Sequence, residues 1–131
     1  MSHVQLVFLG TGTSAGIPMI GCHCPICSSP DPHDKRTRPS VVISYGDTIV
    51  LVDTTPELRL QCIANGIDRI DSVVFTHGHA DHMMGLDDLR RFNAINGKAL
   101  DVWADRKTEA SLQRCFHYAF LGPPPPEQKV F

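Results

Sequence analysis

The 131-residue sequence contains no apolar run approaching the roughly 20 residues that a membrane-spanning helix needs. Its amino terminus, MSHVQLVFLG, has no cationic segment leading into an apolar stretch and a small-residue cleavage site. Membrane insertion and a secretory leader are therefore not expected. Excess positive charge is missing too. Twelve Lys and Arg against 14 Asp and Glu give a formal charge of −2, which lacks the bulk cationic character of a nucleic-acid binder. The cysteine count of five cannot pair completely, and three of the five fall within CHCPIC. A clustered, odd set fits metal-binding thiolates in a reducing compartment better than a disulfide framework. No internal repeat is present. With 42% apolar and 20% charged residues, the expectation is a cytoplasmic globular chain of one domain's length.

What is there reads as alternating strands and helices. VQLVFLG is a mostly apolar run ending in glycine, which predicts a strand over residues 4–9. An irregular segment rich in Gly, Pro, Ser, Cys and Asp follows, from Gly10 to about Pro39. A loop that long inside a compact domain needs a function, or something other than an apolar core to pin it. SVVISYGDTIVLVDT predicts an antiparallel hairpin turning at Gly46-Asp47, with its second strand ending at Asp53. TTPELRLQCIANG predicts a short helix with a Thr54/Glu57 capping box, Pro56 in the first turn and Gly66 past the end. DSVVFT predicts the next strand, MMGLDDLRRFNAIN a helix in which Met83 and Met84 pack, and ALDVWA a further strand. In the closing helix, DRKTEASLQRCFHYAF, the residues Leu112, Cys115, Phe116 and Ala119 share one apolar face. Cys62 and Cys115 are accordingly expected in the core, and His117 as an ordinary helix residue. Pro123 to Pro126 then form a stiff connector leading to Val130-Phe131, which resembles the start of another buried strand. The chain reads as the first part of something larger.

The strand DSVVFT delivers the chain into HGHADH, where His77, His79 and His82 surround Asp81. Two imidazoles two residues apart at a strand end can face one cation, while Asp81 and His82 face a second. Neutral imidazole nitrogens and carboxylate oxygens suit zinc, manganese or iron. Two such ions about 3.5–4 Å apart supply a nucleophilic hydroxide at neutral pH and offset phosphoryl charge. Cys22, Cys24 and Cys27 can give three thiolates to one tetrahedral structural zinc that organises the long loop, with His33 a candidate fourth ligand and His23 turned away. GTGTSAG superficially matches a dinucleotide fingerprint, but Ile17-Pro18 and the cysteines follow it where a helix is required. Lys35, Arg36 and Arg38 read as a solvated loop, with substrate phosphate the alternative role.

THGHADH, Asp53 in IVLVDTTPE and the opening LVFLGTGTS resemble the metallo-β-lactamase fold superfamily, along nearly the whole chain. GTGTSAGIPMIGCHCPIC is similar to the PhnP-type phosphodiesterases within it, more than to the tRNA 3′-processing endonucleases. The resemblance implies an α/β fold, an αββα sandwich of which residues 1–131 supply the amino-terminal portion of a single domain, the carboxy-terminal half being absent. It implies His77 and His79 on a first catalytic metal, Asp81 and His82 on a second, and Asp53 orienting a ligand imidazole. It further implies that the cysteine-bound zinc takes a histidine from the absent half, and that the remaining catalytic ligands lie there too. Asp53 as a plain helix-entry residue is the alternative. The expected function is a binuclear zinc or manganese hydrolase opening a small cyclic or nucleotide-like phosphodiester through a metal-bound hydroxide, with Asp81 and Asp53 as catalytic-site residues. An RNA 3′-end endonuclease is the same-fold alternative, and a zinc-stabilised, non-catalytic binding module or inactive fragment is the other. The expected partners are the small phosphodiester, with RNA second and no membrane, and a homodimer is left open.

Overall fold

The computed structural model of the chain describes residues 3–122. Five strands form one mixed sheet in the order β1 (Val4–Gly10), β2 (Ser40–Tyr45), β3 (Thr48–Val52), β4 (Ser72–Val74) and β5 (Asp101–Trp103). β1, β2 and β3 are antiparallel neighbours, while β3, β4 and β5 run parallel. In the antiparallel half β2 and β3 are joined by the Gly46-Asp47 turn, at which Gly46 takes φ +57° and Tyr45 pairs with Thr48, while the long segment 11–39 joins β1 to β2. The parallel half needs crossovers, and these are helices: α1 (Leu58–Ala64) between β3 and β4, then α2 (Ala80–Met83) and α3 (Leu89–Asn96) between β4 and β5. After β5 the chain closes into α4 (Arg106–Cys115). The prolines and Val130-Phe131 lie outside the described residues, and among the described helices none is long and apolar enough to cross a membrane.

Strand alternation sorts the sheet into two faces. Val7, Val42, Leu51 and Val73 are aligned by register, and Val42, Leu51 and Val73 are buried against Leu58, Cys62, Ile70, Leu86, Leu89 and Phe92. The opposite face is also apolar, with Phe8, Val41, Val52, Val74 and Trp103 in one register row and Leu6, Ile43 and Val50 in the next. Among the described residues it is uncovered: Phe8 and Trp103 are each 63% exposed. Two apolar faces on one sheet are the pattern of an inner layer, so the helices of this chain cover only one side.

Several expectations change on folding. The Thr54/Glu57 box does not form. Glu57 itself occupies the cap position without a side-chain cap bond, and its carboxylate pairs with Arg38. Thr54 and Thr55 are fully buried instead, with the Thr54 amide donating to the His82 carbonyl at 2.7 Å. Tertiary contacts therefore hold the residues that local capping would have used, and α1 starts only at Leu58. The single helix expected from Met83 to Asn96 is broken at Gly85, whose amide donates to the Thr54 carbonyl at 3.0 Å. Met83 is buried there, but Met84 points outward. Cys62 is in the core as expected, whereas Cys115 is exposed. α4 ends at Cys115 and Phe116 turns to φ −127°, so the helical face predicted through Ala119 keeps only Leu112 and Phe116 buried.

Gly85 tests this packing. A Cβ there would lie 2.0 Å from the Thr55 carbonyl oxygen, so backbone would have to move. Gly85→Ala is expected to lower the unfolding free energy by roughly 1–3 kcal/mol, read as a lower urea midpoint at unchanged slope.

Candidate metal centre

The histidine loop begins where β4 ends, and its anchor is a carboxylate from the neighbouring strand. Asp53 directly follows β3 with φ +61°, a left-handed conformation costing roughly 1–2 kcal/mol for a residue with a Cβ, which Asp tolerates better than most. Its amide donates to the Val74 carbonyl at 2.9 Å, and the Ser40 hydroxyl lies 2.9 Å from its carbonyl oxygen. The side chain of this buried residue accepts three hydrogen bonds: from the Thr76 amide at Oδ1 (2.8 Å), and at Oδ2 from the Thr76 hydroxyl (2.7 Å) and His82 Nδ1 (2.8 Å). A buried carboxylate needs such a full set of donors to offset its desolvation. Asp53 thus ties Thr76 and His82 to the end of β3 through its side chain.

Three imidazoles converge above it. The ring centroids of His77 and His79 are 4.6 Å apart, and those of His77 and His82 are 4.0 Å apart. His79 caps α2, its carbonyl accepting from the amides of His82 and Met83, so Asp81 and His82 fall within one short helical turn. With Nδ1 of His82 occupied by Asp53, its Nε2 is left to face Asp81, whose Oδ2 is 3.4 Å away. The three rings are neighbours and Asp81 reaches His82, but among the described residues only the three cysteines have their ligand atoms all within 4.8 Å of one another; imidazole nitrogen and carboxylate oxygen are nonetheless the donor types that suit zinc or manganese. Gly78 lets α4 approach: a Cβ there would sit 3.0 Å from Ser111 Cβ.

The cysteines form a second locus. The long segment after β1 is laced at its base by the Ile17–Arg36 bridge, with reciprocal amide bonds of 2.8 Å, and by Gly12 donating to the Thr37 carbonyl at 2.7 Å. Cys22, Cys24 and Cys27 lie in the span between Ile17 and Arg36, their sulfurs all within 4.8 Å of one another, the set that three thiolates on one tetrahedral ion require. The Cys27 amide donates to the Cys24 sulfur at 3.4 Å and the Met19 amide to the Cys27 sulfur at 3.4 Å. Donation from the Cys27 amide, helped by the Cys22 and Cys27 thiols, lowers the Cys24 thiol to about 7. For Cys27 the Met19 amide acts downward, but the neighbouring Cys22 and Cys24 and burial outweigh it and raise the thiol. Neither histidine of this loop joins the three sulfurs: His33 Nδ1 is held by Asp31 at 2.8 Å.

Lys35 and Arg36 of DKRTRPS are exposed, as a solvated loop implies, and the two arginines also bond to the chain itself. Arg36 donates to the Thr11 hydroxyl, and Arg38 to the Ser14 carbonyl and to Glu57. No helix follows GTGTSAG, in agreement with setting the dinucleotide reading aside. His117 stands in a short turn after α4. Sequence reasoning passed over Thr76, whose only signal was a hydroxyl residue directly before the first histidine.

This geometry has known counterparts. The profile of the beta-lactamase superfamily domain matches residues 48–130. The chain belongs to this superfamily of metallo-β-lactamase-fold hydrolases. It is 51% identical to a structure described as a new diphosphatase from the PhnP family, with TM-score 0.85 over 92% of this chain and 49% of that one. It is 27% identical to zinc-bound PqqB from Methylobacterium extorquens, with TM-score 0.74 over 92% of this chain and 43% of that one. An octanoyltransferase from Porphyromonas gingivalis is 42% identical over 94% of this chain and 25% of its own length. The chain spans about half of the two structures and a quarter of the octanoyltransferase. An uncovered apolar sheet face is what half of a layered domain leaves open.

Thiol reactivity separates the two kinds of cysteine. In chelator-treated protein, Cys24 should alkylate with a midpoint near pH 7, since the thiolate is the nucleophile and its fraction rises through that pH. Cys62, raised to about 11 by burial, should stay unmodified in native protein at neutral pH. Added zinc should protect Cys22, Cys24 and Cys27 together and leave exposed Cys115 reactive, as peptide mass mapping would read.

Proposed function

We propose that this chain is the amino-terminal part of a single-domain, metal-dependent hydrolase that cleaves a P–O bond in a small cyclic or nucleotide-like phosphodiester. The observation that carries the reading is the convergence of His77, His79 and His82 beside a carboxylate, Asp53, that holds the far nitrogen of one of them. Likeness to a PhnP-family diphosphatase supports phosphorus chemistry, and makes a diphosphate the second substrate to test.

In this reading His77 and His79 hold one divalent ion, Asp81 and His82 hold another, and Cys22, Cys24 and Cys27 hold a structural zinc. The catalytic ions, when bound, acidify water and offset phosphoryl charge. Asp53 fixes His82 with Nδ1–H toward itself, so that the Nε2 lone pair is presented to the ion. Asp81 accepts a proton from the attacking water as the water oxygen bonds to phosphorus, and the ester P–O bond breaks with the leaving oxygen taking back the proton held by Asp81. His79, at the start of α2, ties the placement of the first pair of ligands to that of the second.

The test is hydrolysis of bis(p-nitrophenyl) phosphate, with inorganic pyrophosphate as the competing substrate class, by the longest natural polypeptide that carries this sequence, loaded with zinc or manganese. Turnover is expected, falling about 10²–10⁴-fold in Asp81→Asn. Asp53→Asn should weaken metal binding about 10–100-fold by equilibrium dialysis. Undiminished turnover in both variants, or no turnover of either substrate, would remove the reading.

A further inference from the structure

The loop contains a hydroxyl whose single proton is already committed, and that commitment reaches a second histidine. The Thr76 hydroxyl donates to Asp53 Oδ2 at 2.7 Å, an oxygen that also accepts from His82 Nδ1 and has no proton of its own to give. The same hydroxyl lies 3.0 Å from His77 Nδ1. With its one proton directed at Asp53, Thr76 can meet that nitrogen only as an acceptor, so Nδ1 of His77 must carry the hydrogen. The Nε2 lone pair of His77 is then free.

We infer that Thr76 is a positioning residue that extends the hold of Asp53 from His82 to His77, so that one buried carboxylate selects the tautomer of an imidazole at each of the two ion positions. Asp53 grips His82 directly and His77 through the Thr76 hydroxyl. The Thr76 amide, which donates to Asp53 Oδ1 at 2.8 Å, keeps the hydroxyl in register with the carboxylate. This rests on the metal-dependent reading for its purpose, though the hydrogen-bond assignment is independent of any ion.

The experiment uses Thr76→Val, which keeps the branched shape and the backbone amide but loses the hydroxyl, and Thr76→Ser, which restores it. Thr76 is exposed, so the valine needs no space in the core, and what it removes is one of the three donors to buried Asp53. The readout is long-range ¹H–¹⁵N correlation of the imidazoles in metal-free 131-residue chain, at a pH where the rings are neutral, with His77 assigned by loss of its signals in His77→Gln. Native and Thr76→Ser protein should show His77 protonated at Nδ1, and Thr76→Val should shift it toward the Nε2-protonated form that free imidazole favours. His82, still on Asp53, should keep its Nδ1 proton in all three and serves as the internal control. Zinc or manganese affinity, measured by dialysis on the longest natural polypeptide, should fall about 10-fold or more in Thr76→Val and recover in Thr76→Ser. A His77 ring protonated at Nε2 in the native protein, or unchanged in Thr76→Val, would overturn the inference. Failure of native protein to bind either ion while the ring states behave as expected would overturn the metal reading beneath it.

Discussion

One buried carboxylate organises the loop. Asp53 is buried in a backbone conformation that costs a β-carbon-bearing residue energy, and its side chain accepts hydrogen bonds from three separate donors. Remove the donors and the charge would be stranded at a sheet end; remove the carboxylate and the amide of Thr76 and the ring of His82 would lose their common partner. Strain and burial are both tolerated because the same oxygens position the residues that give the loop its chemistry. The arrangement is reciprocal, and it explains why the end of β3 and the loop after β4 are also laced by backbone bonds, from Thr54 to His82 and from Gly85 to Thr54.

The sheet supplies what that network cannot. Parallel pairing of β3 with β4 sets Asp53 and Thr76 at adjacent strand ends, twenty-three residues apart in sequence but within hydrogen-bond reach. Glycines at two contacts let other elements close in: α4 approaches at Gly78, and the Thr55 carbonyl at Gly85. The cysteine loop stands apart from this system. Its shape depends on a laced base and on arginines that bond to the chain itself, while its three sulfurs present a compact donor set.

Much of the fold was legible because strand and helix periods were strong where tertiary forces agreed with them. The hairpin of β2 and β3 and the strand feeding the histidines both followed from local pattern. The misreadings have a common cause. Thr54 and Glu57 satisfied a capping rule in sequence but were claimed by the core and by Arg38; the helix from Met83 was broken where the Gly85 amide meets the Thr54 carbonyl; and α4 stopped at Cys115, short of the face predicted through Ala119, leaving Cys115 exposed. Propensity describes a segment alone, and each of these segments had a stronger partner elsewhere.

By itself the sequence determined the chemistry: which donors are available, their spacing, and the strand that delivers them. Only the tertiary structure decided which of those donors share a partner, because Asp53, Thr76 and His82 become one hydrogen-bonded unit when two distant strand ends lie side by side. A hydrogen bond reaches about 3 Å, and no periodicity in a linear chain encodes which residues separated by more than twenty positions will come that close.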